Sequence, residues 1–487
     1  MSTRDAATAL RRFGLGARSG EIRRIADDPR GFVLQALSQA DAALLTGPSL
    51  APSHVTFAAV MDARRRQRLA RTAEKDVAGN AVAPQTVPAS PPETPPGGAP
   101  EPTPMAPPAT PATSPARPGQ VRRQAFVEEA GARFNRATTT DAAFLERLVM
   151  FWSNHFCVSA SKGPVAGIAG AYERETIRPN ILGRFADMLL AVERHPAMLT
   201  YLDNAQSIGP NSRTGLKRGR GLNENLAREI LELHTVGVDG GYSQDDVTNL
   251  ARILTGWTVG AFDAPMAEPG RFFFARARHE PGDWTVLGKR YRDRGQGTGE
   301  DVLRDLAQHP ATARRVAGKL ARHFVSDNPP AALVEQLERA FLDSGGNLAA
   351  VSEALVRSPL AWEAPPAKVL PPYDFLVAVV RGAGLEPRPR EMLRLTSLLG
   401  QPLWRPPAPA GWLDTDIAWA APSAMHERLR IAEVAARQTG GRADPRLVAE
   451  DILSDAIGEP TRQAIARAET REQGLELLIM SPEFQRR

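Results

Sequence analysis

With 487 residues, 42% of them apolar and 24% charged, the chain has the make-up of a globular protein able to bury a large core. No stretch approaches the roughly 20 apolar residues that a membrane-spanning helix needs. The formal charge of +5 sits in residues 1–75, which carry thirteen Arg or Lys against seven Asp or Glu; the rest is close to neutral, and a nucleic-acid partner is not expected. The single cysteine, Cys157, rules out an intramolecular disulfide and a cysteine-rich zinc site.

The first 75 residues read as an N-terminal helical segment ending in a basic arm. Arg11-Arg12 has the look of a twin-arginine export signal, but Arg18, Glu21, Arg23 and Arg24 stand where an apolar run is required. The expected location is therefore the cytoplasm, with export alongside a partner left open. In the arm (Asp62 to Lys75), Leu69 is the one large apolar residue. Arg64, Arg65, Arg66 and Arg68 form either a solvated helix face or an anion-binding surface.

Residues 76–120 read as an insert. Fourteen prolines between Pro84 and Pro118 bar the chain from helix and sheet interiors and leave too little apolar surface to offset ordering. A disordered excursion is expected here, with the helices on either side still packed together.

Residues 121–487 read as the main helical domain. Phe144, Leu145, Leu148, Val149 and Trp152 recur at helical spacing, and similar patterns cover about 184–192, 222–235, 244–254, 311–323, 331–342 and 368–381. Arg271 to Tyr291 breaks the pattern with β-prone runs around Phe272–Phe274 and Thr285–Leu287, separated by Pro281-Gly282-Asp283, which predicts one small hairpin. His195-Pro196-Ala197 and His309-Pro310-Ala311 echo each other as helix-end punctuation, where a C-terminal histidine can meet free carbonyls. The expected fold is mainly α, a large irregular helical bundle with a small β-hairpin insertion.

Chemistry concentrates in Gly221 to Val247. On a helix, Leu222, Leu226, Ile230 and Leu233 share one stripe, while Glu224, Arg228 and Glu232 line the far side. Glu229 falls at the stripe's edge, where it is either a tuned acid or base beside Arg228 or that arginine's structural partner. His234 ends the helix before Gly237 and Gly240-Gly241, and Ser243 with Asp246 reads as a capping box. The spacing of Glu229, Glu232 and His234 matches no Glu-x-x-His or His-Glu-x-x-His metal motif, so a metal would need ligands from elsewhere, with His155 and His279 as candidates. For His155, set among Trp152, Phe156 and Cys157, the competing reading is a core histidine bonded to backbone.

The segments RRFGLGA, FWSNHF (Phe151 to Phe156), YERETIRPN (Tyr172 to Asn180), HPAMLTYLDN (His195 to Asn204), the 221–247 window, LTGWT, KLARHFVSD (Lys319 to Asp327) and LGQPLW together resemble a widespread bacterial family known as domain of unknown function 1800. The likeness covers nearly the whole chain outside the insert. It departs at Asn180, where relatives commonly have histidine, and at Glu280 and Trp284, where Asp and Lys are more usual. The family has no agreed activity. The resemblance implies a largely helical protein, often encoded beside a second family of sulfatase-like appearance.

Two readings of function follow. One is a helical accessory or binding protein acting with that sulfatase-like companion. The other is a metal-dependent hydrolase or oxidase, using a divalent metal and a centre built from Glu229, Glu232, Arg228 and His234 with His155.

Overall fold

A computed structural model describes residues 3–79, 117–218, 221–261 and 267–487, and the architecture is mainly helical. Of the expected disordered insert, residues 80–116 lie outside the described residues, while its two ends, 76–79 and 118–120, are helical, because each continues the turn of a neighbouring helix. The helices that bound it are α1 (Ser53–Gly79) and α2 (Pro118–Thr139), and they pack against each other.

The elements that position the site are α3 (Ala143–His155), α4 (Phe185–Arg194), α5 (Asn225–Glu229, widening into a π turn over Ile230–His234), α6 (Gln244–Leu254), α7 (Pro310–Phe324), α8 (Ala331–Asp343), α9 (Pro372–Ala383) and α10 (Pro389–Leu398). None is long and apolar enough to cross a membrane. One hydrophobic core runs from Ala6 to Phe484. Phe13 stacks on Phe324 and Trp362 at 6.0 and 4.8 Å, so the first residues share the core of the main body.

Local chemistry explains the boundaries. The capping box of Ser243 and Asp246 is made, with the Asp246 amide 3.2 Å from Ser243 Oγ and the Ser243 amide 2.7 Å from Asp246 Oδ2. In both His-Pro-Ala segments the histidine serves the helix that follows, not the carbonyls before it. His195 Nδ1 accepts from the Ala197 amide at 3.0 Å, and His309 Nδ1 accepts from the Ala311 amide at 3.2 Å. Helix α5 starts three residues later than its periodicity suggests, because Asn223 Oδ1 takes the Asn225 amide at 2.9 Å and caps the chain there. Helix α9 starts at Pro372, not near 368, because Lys368 and Val369 pair as extended backbone with Arg487 and Arg486.

The expected single hairpin is two. Strand β1 (Trp257–Val259) pairs with β2 (Phe272–Phe274), and β3 (Trp284–Val286) pairs with β4 (Lys289–Tyr291), each pair antiparallel. The two β-prone runs are strands, but they are not partners. The reason is the link between Val286 and Lys289: Leu287 and Gly288 both have positive φ, 49° and 75°, which suits a two-residue turn and returns the chain immediately onto β3.

The chain is closed on itself through its arginines. The Arg11 guanidinium donates to the carbonyls of Glu483 and Arg486, and Arg12 donates to those of Ala361 and Ala364 at 2.7 and 2.6 Å.

Candidate functional site

Helix α7 presents Arg315, Lys319 and His323 at four-residue spacing along one face. Opposite lie the last turn of α3, with Cys157 just beyond it, the π turn ending at His234, and the loop from Gln401 to Asp414. Two polar clusters result, one at His323 and one at Lys319.

At the first cluster, His323 Nδ1 lies 2.8 Å from Asp414 Oδ2. Burial acts to raise the Asp414 carboxyl, but contacts with His323, Arg487 and Lys368 overcome it and hold the group well below the usual carboxylate range. Asp414 is therefore an acceptor, and His323 Nδ1 carries the proton. Burial pushes the imidazole's own pKa down against the pull of Asp414, with Arg487 and Arg147 adding to the fall, so the ring is neutral at ordinary pH. Its Nε2 lone pair is buried and makes no hydrogen bond within the described residues.

His323 and Asp414 line a cavity of about 100 Å³, together with Cys157, Glu173, Tyr373 and Trp412. Tyr373 Oη is likewise buried and has no partner among the described residues, and burial raises its pKa, so it stays a phenol and a donor. Glu173 is fully engaged: it accepts from Ser153 Oγ at 2.8 Å, Trp404 Nε1 at 3.0 Å and Arg178 Nη2 at 3.0 Å, and pairs with Arg133 at 3.2 Å. Cys157 Sγ sits 3.1 Å from the Pro409 carbonyl, and burial pushes its thiol up to about 12, which leaves it unreactive as a nucleophile.

At the second cluster, His155 Nε2 donates to the His234 carbonyl at 3.1 Å, which fixes the tautomer and leaves Nδ1 to accept from Lys319 Nζ at 3.0 Å. His234 Nδ1 in turn lies 2.7 Å from Glu193 Oε1, both side chains buried. Burial, reinforced by Lys319, holds His155 well below its usual pKa, and burial with Arg315 nearby lowers Lys319 to about 8. Between pH 8 and the ordinary lysine value near 10.5 the unfolded chain keeps a proton that the folded chain has released, so stability rises with pH across that window. Denaturant titrations of the parent and of Lys319→Gln should show the parent gaining on the variant from pH 8 to 10. A difference that stays flat would mean Lys319 is not held low.

Of the sequence-derived candidates, His155 and His234 come together, joined by a backbone carbonyl. Arg228 instead bridges Glu224 and Glu232 on the surface at 3.3 and 3.4 Å. Glu229 is not its partner: half-buried and without a hydrogen bond among the described residues, it has a pKa raised by burial. Glu229→Gln should therefore hold or raise the stability, and Glu232→Gln should change it by no more than about 0.5 kcal/mol, as measured by urea unfolding. A clear loss at Glu229 would reveal a structural ion pair. His279 belongs to another cluster, its Nδ1 2.9 Å from the Thr255 carbonyl and its Nε2 3.1 Å from Asp293. Both ring nitrogens of His155 and of His279 thus meet protein groups. Among the described residues no three His, Cys, Asp or Glu side chains are grouped to hold a metal ion.

Of the arm's arginines, Arg66 pairs with Asp62 at 2.8 Å, Arg65 and Arg68 are exposed, and Arg64 alone turns inward toward Arg122 on α2.

Lys319, His323, Tyr373 and Asp414 were missed from sequence. The first two lie four residues apart in KLARHFVSD, a signal that could have marked them as one helix face. Nothing local links His323 to Asp414, 91 residues on.

The family model described as "Protein of unknown function (DUF1800)" matches residues 8–486. The chain belongs to this family. No curated protein and no solved structure matches it. At the three positions where this DUF1800 chain departs from the expected pattern, each residue has local work. Asn180 Nδ2 donates to the Thr176 carbonyl at 2.8 Å, Glu280 accepts from the Asn211 amide and side chain at 2.8 and 2.6 Å, and Arg252 lies over the Trp284 ring at 4.5 Å.

Proposed function

We propose that the protein is a hydrolase in which His323 is the general base, acting on a compact ester or amide held in the cavity. The observation that carries this reading is the His323 imidazole itself: neutral, oriented through Nδ1 by Asp414, with a buried Nε2 that has no partner among the described residues, in a residue of the cavity wall. Buried polar atoms are normally satisfied, and leaving one unmade costs about 1–3 kcal/mol, so such an atom is a candidate for a functional partner. A water at Nε2 would lose its proton to the ring as its oxygen attacks the substrate carbonyl, and Asp414 would stabilise the imidazolium so formed. Tyr373 Oη–H is the donor available to the developing oxyanion. The proton on Nε2 then passes to the leaving group.

We prefer this centre to the one expected on α5, where Arg228 is engaged in a half-buried ladder with Glu224 and Glu232. The accessory role with a sulfatase-like companion rests on the family resemblance and on no residue described above.

The test is a panel of chromogenic esters and amides with small acyl groups, assayed with the parent, His323→Gln and Tyr373→Phe. Turnover by the parent, falling at least 100-fold in His323→Gln and less in Tyr373→Phe, is expected. No turnover of any member, or equal turnover by His323→Gln, would overturn the reading.

A further inference from the structure

We infer that a groove between α2, residues 160–166 and α10 is a binding site for an oligophosphate anion. It has a volume of about 570 Å³, and its wall includes Gly119, Arg122, Arg123, Phe126, Arg390 and Arg405. No Asp or Glu lines it, and none of these four arginines forms an ion pair with the described residues.

A fifth arginine closes on it from α1. Arg122 Nη1 and Arg64 Nη2 lie 3.4 and 3.5 Å from the point where a Cβ on Gly163 would sit, so the two guanidinium groups approach within about 7 Å of each other. Arg122 is held there by donating to the Gly163 carbonyl at 2.7 Å, and Arg405 lies over the Phe126 ring at 5.6 Å. The first turn of α2, a helix of 22 residues, opens on the same groove at Gly119 and adds the positive end of its dipole.

The contrast with the rest of the molecule is what makes the groove informative. Several arginines elsewhere are matched to acids, Arg174 to Glu129, Arg178 to Glu146 and Glu173, Arg381 to Glu21 and Arg147 to Asp374, while buried Arg12 and Arg428 donate to carbonyls. Here, among the described residues, like charges converge with no acid between them, an arrangement that a multiply charged anion would stabilise.

Guanidinium forks suit phosphate oxygens, which they grip in pairs. Four or five of them spread along a groove fit a chain of two or three linked phosphates better than one phosphate or one carboxylate. Such a chain could come as inorganic polyphosphate or as the tail of a nucleotide, and the chemistry recognised is the same.

Isothermal titration of the whole chain in 150 mM salt with tripolyphosphate, ATP and orthophosphate tests this. Saturable one-to-one binding of tripolyphosphate, at least tenfold tighter than orthophosphate, is expected. ATP binding comparably would point to a nucleotide source, and ATP binding much more weakly would point to inorganic polyphosphate. The combined variant Arg123→Gln, Arg390→Gln, Arg405→Gln, all three exposed and so safe for folding, should weaken binding at least tenfold. Arg65→Gln with Arg68→Gln, outside the groove, should leave it within twofold. Absence of saturable binding, equal loss in both variants, or capture by anionic vesicles or duplex DNA without tripolyphosphate binding overturns the proposal.

Discussion

Replacing Arg178 by glutamine is expected to destabilise the fold by about 3–5 kcal/mol, because it strands the buried Glu146 carboxylate and takes one of two cations from Glu173. The Arg178 side chain is fully buried and reaches Glu146 Oε1 at 2.6 Å, Glu173 Oε1 at 3.0 Å and the Ala43 carbonyl at 2.8 Å. A planar fork serves all three at once, and a lysine in its place supplies one point charge that cannot. Arg178→Lys should therefore recover only part of the loss. Guanidinium chloride unfolding of the three proteins measures it; a change under about 1 kcal/mol in Arg178→Gln would mean that the two glutamates find other partners. Since Glu173 also underlies the cavity, through Ser153 and Trp404, the same variant should loosen the cavity wall that includes His323.

The second large effect is expected at Asp374→Asn. This carboxylate lies between two buried guanidinium groups, Arg147 at 2.7 Å and Arg487 in closer contact. Burial works to raise its pKa, and the two arginines overcome that and keep it below the usual range, so it is ionised at neutral pH. Asparagine keeps the shape and removes the charge, leaving both cations unmatched at a loss again of about 3–5 kcal/mol. The sign with pH is fixed: an acid whose folded pKa is depressed contributes stability above the ordinary carboxyl value, and that contribution disappears as pH falls through the folded one. The parent should lose its advantage over Asp374→Asn on acidification below about pH 4, which melts at a series of pH values would record. An advantage that does not shrink at all between pH 4 and pH 2 would show that packing, not charge, is what Asp374 supplies.

Much of the fold was legible in the sequence because helical spacing and capping chemistry are local. The stripe on α3, the box at Ser243 and Asp246, and the charged line of Glu224, Arg228 and Glu232 all stand where their patterns put them. The hairpin went astray because strand composition marks a strand without naming its partner, and a two-residue turn at Leu287-Gly288 decided the pairing. The site was less legible for the same reason. Glu229 stood out by its place on one helix, whereas His323 and Asp414 gain their meaning only from each other, across a loop rich in proline and tryptophan that carries no periodicity. Arg64 was singled out with its neighbours as a run of charge, yet it differs from Arg65 and Arg68 only in which way its helix face turns.

The contacts from Arg11 to the carbonyls of Glu483 and Arg486 join residues 472 and 475 positions apart. During synthesis at roughly 5–20 residues per second, the segment around Arg11 leaves the ribosome about half a minute to a minute and a half before its partners exist. Phe13 beside it, destined for the core, meets its aromatic neighbours Phe144, Phe324 and Trp362 only as each arrives. The nascent chain therefore carries its apolar turn at Phe13 only partly covered until Phe324 and Trp362 are made, a demand on chaperones that a shorter-range wiring of the same core would not create.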